Sequence, residues 1–160
     1  DQWIGYNQEN IGEIGVYEGG FGYTEGTYRP SMNSKMRTLG RPFDAVSREK
    51  IILDIYKYVD PIDSYGKRGS VLYVDTIDDF IKVEWYVDGI LAGCDSSLDL
   101  SNLSRLPHTI TARAYDPTEW VRVHRDNLEQ FVTWNVPEPH SIVLWVILLI
   151  LGLTHRLFSI

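Results

Sequence analysis

The sequence has few cysteines and no dense run of lysine and arginine. Cys94 is the only cysteine, so neither an internal disulfide nor a multi-cysteine zinc site can form. The formal net charge is -7, and general nucleic-acid binding normally depends on a basic patch. The composition therefore disfavours a disulfide scaffold and predicts no nucleic-acid partner.

The front of the chain also lacks a visible secretory signal. The first residue is Asp1, and no positively charged start is followed by an apolar run. Either a signal has been processed away, or these residues are the back part of a longer chain. The lack of disulfides does not argue against export, because many bacterial envelope proteins have none.

The stretch DAVSREKIILDIYKYV, residues 44–59, predicts an α-helix. Asp44 or Ser47 can cap it by accepting a hydrogen bond from a free backbone N–H of the first turn, and Pro61 ends it. The residues before it are rich in Gly, Tyr and Asn, which is typical of loops and turns. Apolar residues recur at helical spacing and predict one apolar face, made by Ile51, Ile52, Ile55, Tyr56 and Val59.

Residues 66–136 have a period of two, which favours β-strands. Asp88–Gly89 is a turn signal after one alternating run, and the runs VRV and FVTWNV read as further strands. Short strands separated by turns predict a small immunoglobulin-like β-sandwich. The inward positions of its two clearest strands are Val83, Trp85 and Val87, and then Ile110, Ala112 and Ala114.

The last part of the sequence, residues 137–160, is strongly apolar. The run from Ile142 to Leu153 is shorter than the roughly 17–25 residues of a spanning helix, and a buried terminal element is the alternative. The segment resembles the PEP-CTERM sorting signal of certain bacteria, with Pro137, Glu138 and Pro139 as its motif and Arg156 as a weak basic end. The resemblance implies a C-terminal membrane helix, export to the cell envelope and recognition by an exosortase.

A polar stretch near the front, YRPSMNSKMR, holds the apolar Met36. With its flanks it resembles the bacterial IgA peptidase family of zinc metallopeptidases. The resemblance rests on seventeen matching residues: Tyr17, Glu18, Gly19, Gly20, Tyr28, Arg29, Pro30, Asn33, Ser34, Met36, Arg37, Pro42, Phe43, Ala45, Ser47, Arg48 and Glu49.

The resemblance implies a zincin-type catalytic domain whose zinc-bound water attacks a peptide bond. It makes Met36 the candidate for a Met-turn, a methionine that forms a soft floor beneath the metal. The alternative is a methionine that only covers the loop from below. It suggests Tyr28 as a donor to a tetrahedral oxyanion, and Arg29 or Arg37 as partners of a substrate carboxylate. Bracing of the loop through Glu18 or Glu49 is the alternative for both arginines.

The zinc motif HExxH is absent from this sequence, as are two histidines at ligand spacing on a plausible helix. His108 and His124 are expected at surface positions of the sandwich, and His140 and His155 lie in the apolar tail. In the resembled family the zinc helix precedes the matching stretch. We therefore expect that this chain begins after that helix, that the zinc ligands lie upstream, and that the chain alone is inactive.

These patterns together predict an α+β protein. Residues 1–64 are the C-terminal segment of a metallopeptidase catalytic domain, 66–136 the sandwich and 137–160 the sorting segment. The predicted function is the C-terminal part of an exported zinc peptidase that acts on a peptide or protein. The alternative is a non-catalytic, membrane-targeted immunoglobulin-like module that binds a partner or has a structural role, so the sequence leaves open whether the chain is an enzyme.

Overall fold

The computed structural model describes residues 2–104 and 107–137. Strands make up 43% and helices 11% of the structure, so the predicted class, α+β with a C-terminal membrane helix, is wrong. The Gly- and Tyr-rich front that reads as loops contains four short strands. Among the described residues no helix is long and apolar enough to cross a membrane. Apart from Pro137, the segment 137–160 lies outside them.

The described chain forms two compact units. The first takes its residues from Asp1–Pro61 and Tyr115–Gln130, and the second from Ile62–Ala114 and Phe131–Ile160. The first unit contains two antiparallel hairpins, β1 with β2 and β3 with β4. Its elements are β1 Asn7–Gln8, β2 Gly12–Glu13, β3 Tyr17–Gly20, β4 Tyr23–Arg29, α1 Ala45–Ile55 and a 3₁₀ helix Arg125–Leu128.

Helix α1 starts where the sequence predicts. Asp44 is the N-cap in an extended conformation, and its Oδ1 accepts a 2.8 Å hydrogen bond from the backbone N–H of Ser47. The helix ends at Ile55 with Tyr56 as its C-cap, several residues before Pro61. The cap therefore fixes the N-terminus, whereas the C-terminus comes earlier than the proline implies.

The predicted apolar face of α1 is wrong. Ile51 is 40% and Ile55 52% exposed, while Ala45 and Glu49 are the buried residues of the helix. Residues four apart lie on one helix face, so a small side chain and a carboxylate face the interior. Ala45 packs with Trp3, Ile11 and Ile14 in the core of the first unit.

The second unit contains two antiparallel sheets. One has the strand order β11-β10-β7-β8 and the other β5-β6-β9. The predicted turn at Asp88–Gly89 joins β7 to β8 with positive φ at both residues, as a tight hairpin turn requires. The strands are β5 Ile62–Arg68, β6 Val71–Thr76, β7 Lys82–Val87, β8 Ile90–Gly93, β9 Ser97–Asp99, β10 His108–Tyr115 and β11 Glu129–Val136.

Both sheets contribute to one hydrophobic core, as in a two-layer sandwich. Trp85 is fully buried, stacks on Trp134 with ring centroids 5.5 Å apart, and donates its indole N–H to the carbonyl of Asp95 at 2.8 Å. The alternation predicted for β7 and β10 is confirmed, since Val83 and Trp85 are buried on β7 and Val87 packs against the same core. On β10 the buried positions are Ile110, Ala112 and Ala114.

The run VRV, residues 121–123, is not a strand. It belongs to the segment 115–130, which packs in the first unit. Val121 and Leu128 anchor this segment, each with 1% exposure. Val121 is buried, Arg122 is exposed and Val123 is half-buried, an alternation that a strand would also show, so the pattern alone did not distinguish a strand from an irregular segment.

Candidate functional site

A cleft of about 730 Å³ lies in the first unit. The structure brings Tyr28, Arg29, Met36 and Arg37 together around it, although each was selected from the sequence only by its motif. The hairpin β3–β4, the loop after it and the start of α1 form the walls. The full lining is Glu18, Gly19, Gly20, Phe21, Gly22, Tyr23, Thr24, Tyr28, Arg29, Pro30, Ser34, Met36, Arg37, Asp44 and Ser47.

The hairpin wall depends on a glycine that the matching motif contains. Gly19 sits at a register shift between β3 and β4 with a φ of +93°. A Cβ at this position would lie 2.9 Å from Nη1 of Arg29 and would be strained at that φ. Gly19 thus allows the guanidinium of Arg29 to pass close to the backbone.

The arginines brace the backbone. Arg29 Nη1 donates to the carbonyl of Glu18 at 2.7 Å and also to the carbonyl of Gly19. Arg37 Nη1 donates to the carbonyl of Met32 at 2.9 Å. The predicted bracing role is therefore present, but it runs through main-chain oxygens instead of the side chains of Glu18 and Glu49.

Met36 is held in a tight turn and is 71% exposed. The carbonyl of Ser34 accepts hydrogen bonds of 2.9 Å from the N–H groups of both Arg37 and Thr38. Tyr28, on β4, is 62% exposed. The side chains of Met36 and Tyr28 therefore line the cleft and are exposed to solvent, while hydrogen bonds hold the backbone around them. This arrangement is suited to contact with a ligand.

The floor of the cleft includes a buried carboxylate. Asp44 is fully buried, and its Oδ2 accepts a 3.0 Å hydrogen bond from the hydroxyl of Ser31. Burial by itself raises the pKa of Asp44, but hydrogen bonds from Ser47, Ser34 and Ser31 outweigh it and hold the pKa below its usual value. The group is ionised at neutral pH, and its role is to cap α1 and fix the serines of the loop.

A second buried carboxylate, Glu49, joins three segments of the first unit. Its Oε2 accepts a 2.7 Å hydrogen bond from the indole of Trp3, and its Oε1 accepts from the backbone N–H groups of Arg122 and Val123. Arg122 stacks over the Trp3 ring at 3.7 Å. From the sequence, Glu49 was expected within the helix as a possible partner of Arg29 or Arg37. Its four-residue spacing from Ala45 was the available signal for an inward position.

The cleft residues do not fit a metal. Both oxygens of Asp44 already accept hydrogen bonds, and arginine and methionine are poor zinc ligands. Across residues 2–104 and 107–137, no group of three or more His, Cys, Asp or Glu side chains could hold a metal ion. The resemblance places the zinc ligands upstream, and that expectation stays a prediction.

The histidines lie far from the cleft in sequence. His124 is exposed, as predicted. His108 is largely covered, with 13% of its side chain exposed, and it contacts Asp88 and Ser104. His140 and His155 lie outside the described residues, as do Glu138, Pro139 and Arg156 of the sorting motif. Pro137 is described and follows β11 in an exposed position.

No family model, no curated protein and no solved structure matches this chain.

Proposed function

We propose that the chain is the substrate-binding C-terminal part of an exported zinc peptidase of the bacterial IgA peptidase type. The observation that carries the proposal is the cleft, because Tyr28, Arg29, Met36 and Arg37 of the resembled motif lie around one concave surface. In this proposal the chain positions a peptide. The metal and the activated water belong to residues upstream of Asp1.

The cleft has the features that a peptide-binding wall needs. The guanidinium groups of Arg29 and Arg37 fix its loops through main-chain carbonyls, so the backbone that carries the exposed Tyr28 and Met36 loses little freedom on binding. The phenol of Tyr28 can donate a hydrogen bond to a peptide carbonyl. Met36 offers an adaptable apolar contact to a substrate side chain.

The binding step can be tested on the 160-residue chain itself. Unstructured peptides of varied sequence are titrated against the ¹⁵N-labelled protein, and chemical-shift changes are mapped by NMR. We expect changes at Tyr28, Met36 and their neighbours, with weaker binding for Met36→Ser and Tyr28→Phe. Tyr58→Phe is the matched control, because Tyr58 is 89% exposed on the same unit and does not line the cleft.

The catalytic step is tested on the gene. We expect an in-frame HExxH helix and a signal peptide in the DNA upstream of the codon for Asp1, and zinc-dependent peptide cleavage by the extended protein. Peptide binding together with a start codon immediately upstream would instead favour a module that binds without catalysis. The absence of both peptide binding and an upstream HExxH helix would overturn the proposal.

The binding module is the second candidate, and the hairpin tip favours it. Phe21 lies in the β3–β4 turn and Tyr23 begins β4, with 96% and 69% exposure, and both line the cleft. Large apolar side chains exposed together around one concave surface are typical of a binding site. The two candidates both require ligand binding and differ in zinc-dependent hydrolysis.

Export to the cell envelope, with an exosortase as sorting partner, is part of the proposal. Its support is the motif of Pro137, Glu138 and Pro139 in the sequence. Fractionation of the producing bacterium with an antibody against the chain tests it. Recovery in the envelope or the medium is expected, and recovery in the cytoplasm alone would contradict export.

A further inference from the structure

A serine, a histidine and an aspartate form a hydrogen-bonded chain in the second unit, and none of the three lines the cleft. Nδ1 of His108 lies 2.7 Å from Oδ2 of Asp88, and Nε2 of the same ring lies 2.8 Å from Oγ of Ser104. These separations and this order of groups are those of a nucleophile, a general base and the carboxylate that orients the base.

The backbone fixes the positions of Asp88 and His108. Asp88 occupies the β7–β8 turn with a φ of 52°, and β10, which begins at His108, pairs beside β7. The second carboxylate oxygen of Asp88 accepts a 2.9 Å hydrogen bond from the N–H of Thr109, and the N–H of Asp88 donates to the Thr109 carbonyl at 2.8 Å. The carboxylate is thus held against the imidazole by a strand pairing and a turn.

The hydrogen bonds determine which ring nitrogen carries the proton. The hydrogen bond to His108, and then that from the Thr109 N–H, lower the pKa of Asp88, so the carboxylate is ionised and accepts only. Nδ1 of His108 therefore carries the hydrogen in the neutral ring, and Nε2 accepts from the Ser104 hydroxyl. This is the tautomer that a serine nucleophile requires.

We propose that Ser104, His108 and Asp88 form a metal-independent centre that hydrolyses small carboxylic esters. Ser104 is exposed, so a small acyl donor can reach its hydroxyl directly. Oγ attacks the ester carbonyl while His108 Nε2 takes its proton, and the carbon–oxygen bond to the alcohol breaks as the imidazolium returns that proton to the alcohol. Water, deprotonated by the same nitrogen, then attacks the acyl carbon, the bond between that carbon and Oγ breaks, and the imidazolium returns the proton to Ser104 as the acid leaves.

Covalent labelling tests the centre in the intact 160-residue protein. Diisopropyl fluorophosphate is the probe: Ser104 Oγ would form the phosphorus–oxygen bond, fluoride would leave, and His108 would accept the proton. Intact mass and peptide mapping should show a single adduct on Ser104. Ser104→Ala should abolish it, and His108→Ala should slow it by about a hundredfold or more. The rate of p-nitrophenyl acetate hydrolysis should be highest in the wild type, lower in His108→Ala and absent in Ser104→Ala. It should persist in the presence of a zinc chelator.

Two further variants separate this chemistry from structural effects. Ser101 is a nearby serine whose hydroxyl bonds to Asp99 and Ser70. The Ser101→Ala variant should be labelled to the same extent as the wild type. Asp88→Asn keeps an acceptor for the Thr109 N–H but favours the wrong His108 tautomer, so labelling should fall at least about tenfold while the thermal midpoint stays close to wild type. No adduct, an adduct on another serine, or unchanged labelling in His108→Ala would overturn the proposal. This test does not depend on the outcome for the proposed peptidase function.

Discussion

The indole N–H of Trp3 donates a 2.7 Å hydrogen bond to the carboxylate of Glu49, a residue 46 positions later. Both side chains are buried, at 2% and 7% exposure. Glu49 also accepts from the main chain of Arg122 and Val123. One carboxylate on α1 therefore ties the N-terminal residues and the segment 115–130 to the helix, and through them it supports the unit that contains the cleft.

Removing this carboxylate should destabilise the first unit. Glu49→Ala removes the acceptor shared by the buried Trp3 indole N–H and by two partly covered main-chain N–H groups, and a buried donor that loses its acceptor costs about 1–3 kcal/mol. We expect the free energy of unfolding to fall by about 3 kcal/mol. Denaturant titration followed by tryptophan fluorescence measures the change.

Glu9→Ala serves as the control for Glu49→Ala. Glu9 is an exposed glutamate in the turn between β1 and β2 of the same unit, and surface substitutions of this kind usually change stability by less than about 0.5 kcal/mol. Equal effects of the two substitutions would show that Glu49 does not organise the unit.

Asp44 should give the first unit a stability that depends on pH. Because the folded pKa is lowered, the contribution is complete above the unfolded value of about 3.9 and is lost as the pH falls through the folded pKa. Asp44→Asn should cost about 1 kcal/mol at neutral pH, the usual scale of a helix cap. Its difference from the wild type should shrink in acid, as measured by denaturant titrations between pH 6 and 2. A difference that stays constant with pH would contradict this role.

Tyr56 and Asp116 form a second long-range contact within the first unit. The hydroxyl of Tyr56 donates to Oδ2 of Asp116 at 2.9 Å. Burial, followed by that carboxylate, raises the pKa of Tyr56. Tyr56→Phe should lower the free energy of unfolding by about 2 kcal/mol, the scale of a hydrogen bond to a charged group.

The effect of Tyr56→Phe should also depend on pH. A raised pKa gives stability that is present below the unfolded value of about 10 and is lost as the pH rises through the folded pKa. The difference between wild type and variant should therefore shrink in strong alkali. Tyr58→Phe is the control, since Tyr58 is 89% exposed. A cost for Tyr58→Phe as large as that for Tyr56→Phe would rule out the Asp116 bond as the cause.

Substitutions of two cleft residues should distinguish effects on stability from effects on peptide binding. Met36 is 71% exposed, so Met36→Ala should change stability by less than about 0.5 kcal/mol while it weakens peptide binding. Arg29 braces two carbonyls, so Arg29→Ala should cost about 1–2 kcal/mol. Urea titrations measure the stability of both variants. A large loss of stability in Met36→Ala would indicate that its role is packing, not ligand contact.

The sequence predicted correctly those features that depend only on residues close together in the chain. The Asp44 cap, the Asp88–Gly89 turn and the alternation in β7 and β10 all depend on contacts or periods within one element. The hairpin β3–β4 was missed because glycines at four nearby positions indicate loops, although Gly19 serves a bulge within the pair. The residues around the cleft were selected by motif, and nothing in the motif stated that they share one surface.

The sequence by itself determined the cap of α1, the inward positions of β7 and β10 and the residue types at the cleft, because local hydrogen bonds and side-chain periods act over a few positions. Only the tertiary structure decided which face of α1 is buried, since the acceptor Glu49 needs donors 46 and 74 residues away. The same holds for Asp88, His108 and Ser104. Their contact arises because the β7–β8 turn, which carries Asp88, lies beside the start of β10, and the spacing of these residues along the chain does not predict it.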